Sequence, residues 1–373
     1  MQYARSILCI FALIFLFIFQ GCSNDATSPV QSNENGNSDL RQNEELLQNG
    51  QPSQNEQNNL VADIQFYSPR TVDVNLVNAW GIAISPSGDF WISANHAAAA
   101  NIYDKIGNIE MPRITIPGAS GHYGAPTGVV YNPTPDFKIL TIPAEFIFAG
   151  EDGTISGWSS GLYGSSANIA VDRSSHHSVY KGLDIGKLNG DNHIYAADFS
   201  NSKIDVFDRN FIYKPNIRLV DPAIPSGYAP FNIFTMDGEL IVTYAKQKQP
   251  AKIVDDLGPG HGFVNIFRTD GTLVRRLASN GTLNSPWGIG VTREFGNQGG
   301  DILIGNHGDG RINIYAKNGT YKGQVKDNRG QPISIEGLWA IAFMENGGSD
   351  GKLYFTAGPD SEHHGLFGSL KLR

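Results

Sequence analysis

The sequence predicts an all-β protein, a six-bladed β-propeller of four-stranded antiparallel blades, and three observations predict it. A short apolar opener recurs six times at intervals of 47 to 56 residues. Each opener is followed by a turn and then by a second and a third short strand, and no helical period of any length interrupts the series. The pattern begins only near residue 60, which divides the chain into a leader (1–21), a tether (22–59) and the propeller (60–373).

The leader opens with one basic residue, Arg5, followed by an unbroken apolar run over 7–19 and then by Gln20-Gly21-Cys22. The run is shorter than the about 20 apolar residues a permanent membrane helix needs, so it reads as a secretory leader. A small residue directly before a cysteine resembles the cleavage box of bacterial lipoproteins, which implies lipidation of Cys22 and attachment to a membrane through that lipid. Ser23 stands where an aspartate would signal inner-membrane retention, so the resemblance implies an outer-membrane or cell-surface location. The other cysteine, Cys9, is lost with the leader, which excludes a disulfide framework and a cysteine metal site.

The tether is composed of Asn, Gln, Ser and Glu without an aromatic residue. Such a segment buries too little apolar surface to offset its ordering entropy and is expected to be disordered. Of the formal charge of −8, residues 23–59 contribute −5, six acids against Arg41 alone. The remainder is nearly balanced, which argues against nucleic-acid binding. A monomer is expected.

The openers are NAWGIAI (78–84), APTGVVY (125–131), YKGLDIG (180–186), APFNIFT (229–235), SPWGIGV (285–291) and GLWAIAF (337–343). Second strands follow as DFWISAN, EFIFAGE, HIYAAD, ELIVTY, DILIGN and KLYFTAG, and third strands as SKIDVFD, GFVNIFR and GRINIYA. Asp270-Gly271 and Asn318-Gly319 supply hairpin turns of the primed type. One such blade cannot bury its own faces; six around a channel bury one another. Ring closure is expected to pair residues 64–67 with 366–372, both of which alternate.

The opener Pro-Trp-Gly-Ile, the second strand ending in Gly-Asn and the third ending in an aromatic residue resemble six-bladed propellers of the NHL-repeat type and the related gluconolactonase or regucalcin-like group. The fuller pattern, NLVNAWGIAIS with GNHGDGRINIY, most resembles a family of exported bacterial propellers without an assigned activity, over residues 74–373. The resemblance is specific for fold and implies little about function, because propellers carry many unrelated activities.

In a four-stranded blade, the loop entering the inner strand and the loop between the second and third strands emerge on one face. The ends of the second strands therefore ring one mouth of the channel, at Asn95, Glu151, Asp198, Tyr244 and Asn306. Glu151, Asp198, Asn95 and Asn306 form an oxygen-rich set of the kind Ca²⁺ prefers, and gluconolactonase-like propellers hold a central cation with a similar Glu/Asn/Asp set. His96 and His307 follow Asn95 and Asn306 in sequence, and either could act as a general base; His122, His261, His363 and His364 fall in loops on the same face. Trp80, Trp287 and Trp339 are expected to pack between blades, and Trp91 and Trp158 to form intersheet core. A long blade-four loop carries Lys246, Lys248 and Lys252. No nucleophile triad, phosphate loop or dinucleotide fingerprint is present.

Two functions follow. The first is an envelope-anchored binding or scaffolding module for a glycan, a peptide or another envelope partner, which the tether favours. The alternative is a metal-dependent hydrolase or lyase at the polar mouth, which the converging acids and histidines favour.

Overall fold

The structure, a computed structural model, describes residues 57–162, 164–292, 300–344 and 351–372. The leader, Cys22 and all but the last three residues of the expected tether lie outside the described residues. Six antiparallel sheets form the blades of a six-bladed β-propeller, and a small hairpin, Lys138–Ile139 with Ile142–Pro143, is added to the second. The inner strands are Ala79–Ile84, Pro126–Tyr131, Tyr180–Leu188, Tyr228–Met236, Pro286–Val291 and Leu338–Ala342. Each packs against the next, and the sixth returns to the first.

The openers recur because of how closely these strands meet. A Cβ on Gly81 would stand 2.5 Å from the Thr127 carbonyl oxygen, and one on Gly288 would stand 2.7 Å from that of Trp339. Glycine at this place lets neighbouring backbones approach. All six inner strands also break register with their second strands here. The resulting bulges contain Trp80, Thr127, Lys181, Phe231, Trp287 and Trp339, and a bulge re-aims the side chain it carries. Trp80, Phe231, Trp287 and Trp339 meet in one buried cluster, with Trp80 and Trp339 stacked at 3.6 Å. The opener tryptophans thus pack at the axis, whereas Trp91 and Trp158 pack with Phe146 between blades one and two.

Blade three has three strands, Tyr180–Leu188, Asp191–Asp198 and Lys203–Asp208. Where an outer strand would follow, Pro215, Pro222 and Pro225 lack backbone donors, and pairing is reduced to a bridge between Phe207 and Tyr213. Arg173 lies over the Tyr213 ring at 4.1 Å and covers this edge.

The closing strand differs from the expected one. Gln57–Ala62 pairs antiparallel with Leu366–Lys371, while Gln65–Tyr67 is a 3₁₀ turn and Thr71–Val72 lies parallel to the end of the closing strand. Leu60, Val61 and Ala62 are buried, but Phe66 is 82% exposed, so the alternation at 64–67 does not mark a buried face. The strand starts within the polar stretch read as tether, because only its second half needs apolar side chains.

Phe367, wholly buried against Phe90, Tyr103 and Tyr354, locks the closed blade onto blade one. Phe367→Ala is expected to cost about 3–5 kcal/mol, measured by urea unfolding; a loss below about 1 kcal/mol would show that closure does not depend on this contact.

Candidate functional site

The loops that follow the second strands bring a connected polar network onto the tryptophan cluster. Lys181 supplies its cation from inside the channel. It occupies the bulge position that three other blades give to tryptophan, and it is 2% exposed. Its ammonium lies 5.1 Å over the Trp80 ring and donates a short hydrogen bond to Glu151 Oε1. Trp287 Nε1 donates to the Lys181 carbonyl at 2.8 Å, which ties blade five to blade three across the axis.

Asn95 Nδ2 donates to Glu151 Oε2 at 3.1 Å and to the Pro126 carbonyl at 3.2 Å. Burial pushes the Glu151 carboxyl up, but the Lys181 ammonium, helped by the Asn95 amide, outweighs it and holds the group below the usual carboxylate range. Asn78, left-handed at φ 49° at the first position of its opener, joins the two sides of the mouth. Its Oδ1 accepts from Trp339 Nε1 at 3.0 Å, and its Nδ2 donates to Glu362 Oε2 at 3.1 Å.

His307 forms the other half. Its ring stacks on Trp339 at 3.8 Å and 11°, and its Nδ1 lies 3.2 Å from Asp255 Oδ2. A carboxylate can only accept, so Nδ1 carries the proton and the neutral ring keeps its lone pair on Nε2. Nε2 lies 3.7 Å from Glu362 Oε1, beyond hydrogen-bond reach, and His96 Nε2 lies 3.9 Å from Glu362 Oε2. Burial would raise the Asp255 carboxyl, but the His307 imidazole outweighs it and the group is held down at about 2. The long blade-four loop delivers Asp255 through a bridge to Gln247, while Lys246 pairs with Asp256 at 2.8 Å.

Of the residues expected to hold calcium, Asn95 and Glu151 lie side by side, as just described. Asp198 faces other partners: it accepts from Val179 N at 3.1 Å and Asn201 Nδ2 at 2.8 Å, and Lys203 stands 3.7 Å away. Asn306 donates to the Thr282 carbonyl and to Asp309. The cation beside Glu151 is Lys181. Among the described residues no group of three or more His, Cys, Asp or Glu side chains is arranged to hold a metal ion.

His96 and His307 do meet, at Glu362. His261 and His364 are taken up by Asp256 and Asp63, and His363 by the Asp360 carbonyl. Lys181, Asp255, Glu362 and Asn78 were not singled out from the sequence. The signal for Lys181 was present, since a lysine stands in an opener where the others carry Trp, Phe or Thr.

Fold and mouth together define the protein as a six-bladed β-propeller with a polar site at one end of its channel. The same fold is seen in a streptogramin B lyase (TM-score 0.50, 15% identity, 81% of this chain and 96% of that one) and in the calcium-binding protein regucalcin from Agrobacterium tumefaciens (0.50, 13%, 80% and 90%). It is also seen in a protein of unknown function from Bacteroides thetaiotaomicron (0.53, 10%, 79% and 70%). In sequence the chain is 35% identical over 309 residues to an uncharacterised protein of Acanthamoeba polyphaga mimivirus, covering 80% of this chain and 81% of that protein. A second uncharacterised protein of the same virus is 34% identical over 309 residues, covering 80% and 76%. The chain belongs to the family of these proteins. Its relatives here are viral and lend no support to a family of exported bacterial proteins. No protein-family model matches it.

Because Asp255 titrates lower in the folded chain, at about 2 against an ordinary 3.8, its ionised form stabilises the fold above about pH 4. That contribution is lost as the pH falls toward 2. Asp255→Asn is expected to cost about 2 kcal/mol near neutrality and progressively less below about pH 4, measured by urea unfolding across pH. A cost independent of pH would show that the His307 pairing contributes nothing.

Proposed function

We propose that the mouth is the catalytic centre of an acid–base enzyme, a hydrolase or lyase, in which His307 moves the proton. What supports this is the clamp on His307: a buried carboxylate fixes its tautomer at Nδ1, an indole face fixes its plane, and Nε2 is left without a hydrogen-bonding partner at a polar opening. In this reading Asp255 orients the ring and steadies the imidazolium that forms. Glu362, whose side chain is 32% exposed, receives the polar end of the substrate. The Lys181 ammonium stabilises negative charge that develops near Glu151. The likeness to a streptogramin B lyase carries the fold and no more.

The test is turnover of a panel of esters, lactones and β-substituted esters prone to elimination. His307→Gln and Asp255→Asn are expected to lower the activity found by about 10²–10⁴-fold, the span of general acid–base catalysis, with both variants still folded at the assay temperature. Activity that survives His307→Gln would overturn the proposal, and a panel without any turnover would favour the binding module.

We further propose, from the leader alone, that Cys22 is lipidated and holds the propeller at a membrane; fatty-acid labelling unchanged in Cys22→Ala would refute it. Calcium at this mouth is a second proposal, supported by the adjacent Asn95 and Glu151 and by the description of regucalcin as a calcium-binding protein. Calcium added to chelator-stripped protein should then raise the melting temperature, and Glu151→Gln should abolish the rise.

A further inference from the structure

The channel on the far side of the tryptophan cluster is hollow. A cavity of about 980 Å³ runs from Trp287 to residues at the opposite mouth, among them Asp237 and Lys317, whose side chains are 74% and 37% exposed. Its wall repeats once per blade: Ile82, Val129, Leu183, Ile233, Ile289 and Ile341 follow the six bulges and all line it. The next residue in five of the openers is Ala83, Val130, Phe234, Gly290 or Ala342; in blade three it is Asp184.

Asp184 Oδ2 accepts from Thr235 N at 2.6 Å and Oδ1 from Ile185 N at 2.7 Å. Each oxygen keeps a further lone-pair site. Beside it, the buried Thr235 hydroxyl lies against the same carboxylate, and Thr235 also lines the cavity. The other two charged residues of the lining, Asp237 and Lys317, pair with each other at 2.9 Å at the rim. Among the described residues, the Asp184 carboxylate therefore has no cation of its own. A brace between blades does not require it, since the other five blades place no carboxylate at this position.

We propose that this cavity is a ligand site, separate from the polar mouth, for a small molecule with an apolar body and a protonated amine that meets Asp184. The six aliphatic wall residues take the body, and Asp184 with the Thr235 hydroxyl takes the ammonium and fixes its orientation. Burial in the channel pushes the Asp184 carboxyl up to about 6, against the bonds from Thr235 N and Ile185 N that lower it. The site is thus charged at neutral pH and largely neutral at about pH 5.

The probes are 2-phenylethylamine and its neutral counterpart 2-phenylethanol, titrated calorimetrically into the full chain at about pH 7.5 and about pH 5. The amine should bind at least about tenfold more tightly at the higher pH, and this preference should shrink at the lower one. Asp184→Asn should remove the preference while still binding both probes weakly, and His307→Gln should leave it intact, which separates this site from the catalytic proposal. The wild-type pH comparison stands even if Asp184→Asn fails to fold. Equal affinity for the two probes, no binding of either, a preference that persists in Asp184→Asn, or one lost in His307→Gln would each overturn the proposal.

Discussion

Six backbones meeting around one axis is the constraint on which the rest of the molecule depends. The inner strands pack so tightly that their openers require glycine at Gly81 and Gly288, and they accommodate one another only through a register break in every blade. That break turns one side chain per blade out of the ladder. Trp80, Phe231, Trp287 and Trp339 close the channel; Thr127 instead bonds to the Tyr180 carbonyl at 2.8 Å and joins blade two to blade three. Lys181 is the exception in kind. A buried ammonium is costly unless it is matched, and here Glu151 and the face of Trp80 match it.

Ring closure and the polar mouth share the same few residues. Asp63, just past the closing strand, accepts from His364 at 2.7 Å and from Gly365 N at 3.1 Å, which clasps that strand to the start of the last one. Two residues earlier in the same loop stands Glu362. Asp360, Ser361 and Glu362 are all left-handed, with φ of 53°, 55° and 70°. Such residues cost of order 1 kcal/mol each when they are not glycine. The hydrogen bond from Asn78 to Glu362, and the bond from Asn78 N to the His364 carbonyl at 3.1 Å, hold the turn in that shape. The carboxylate facing His96 and His307 is thus placed by the segment that completes the ring.

The blades were legible because their signal is repeated. A short apolar opener followed by a strand of alternating character carries its own spacing, and six copies outweigh the ambiguity of any one. The closing strand was hidden because half of it is Gln57-Asn58-Asn59, polar residues at the exposed end of a strand whose buried end is three residues long. Blade three was read as four-stranded because proline acts on pairing locally and leaves the repeat unchanged. At the mouth, strand-end alignment put Asn95 and Glu151 on one rim from ladder geometry alone, and a hydrogen bond joins them. Asp255 and Glu362 lay beyond reach because loops deliver them. A loop's path depends on contacts such as the pairing of Lys246 with Asp256, which no periodicity announces.

The indole stack across the axis makes the propeller corked rather than bored through. With Trp80 against Trp339 at van der Waals distance and Trp287 edge-on to both, no molecule passes from one mouth to the other. Whatever enters on the His307 side must leave by the same door. An outgoing molecule therefore blocks an incoming one, and traffic there is single-file by construction. The chamber on the Asp184 side exchanges with its own face of solvent and keeps its own schedule, so the two ends of one channel can be filled and emptied independently.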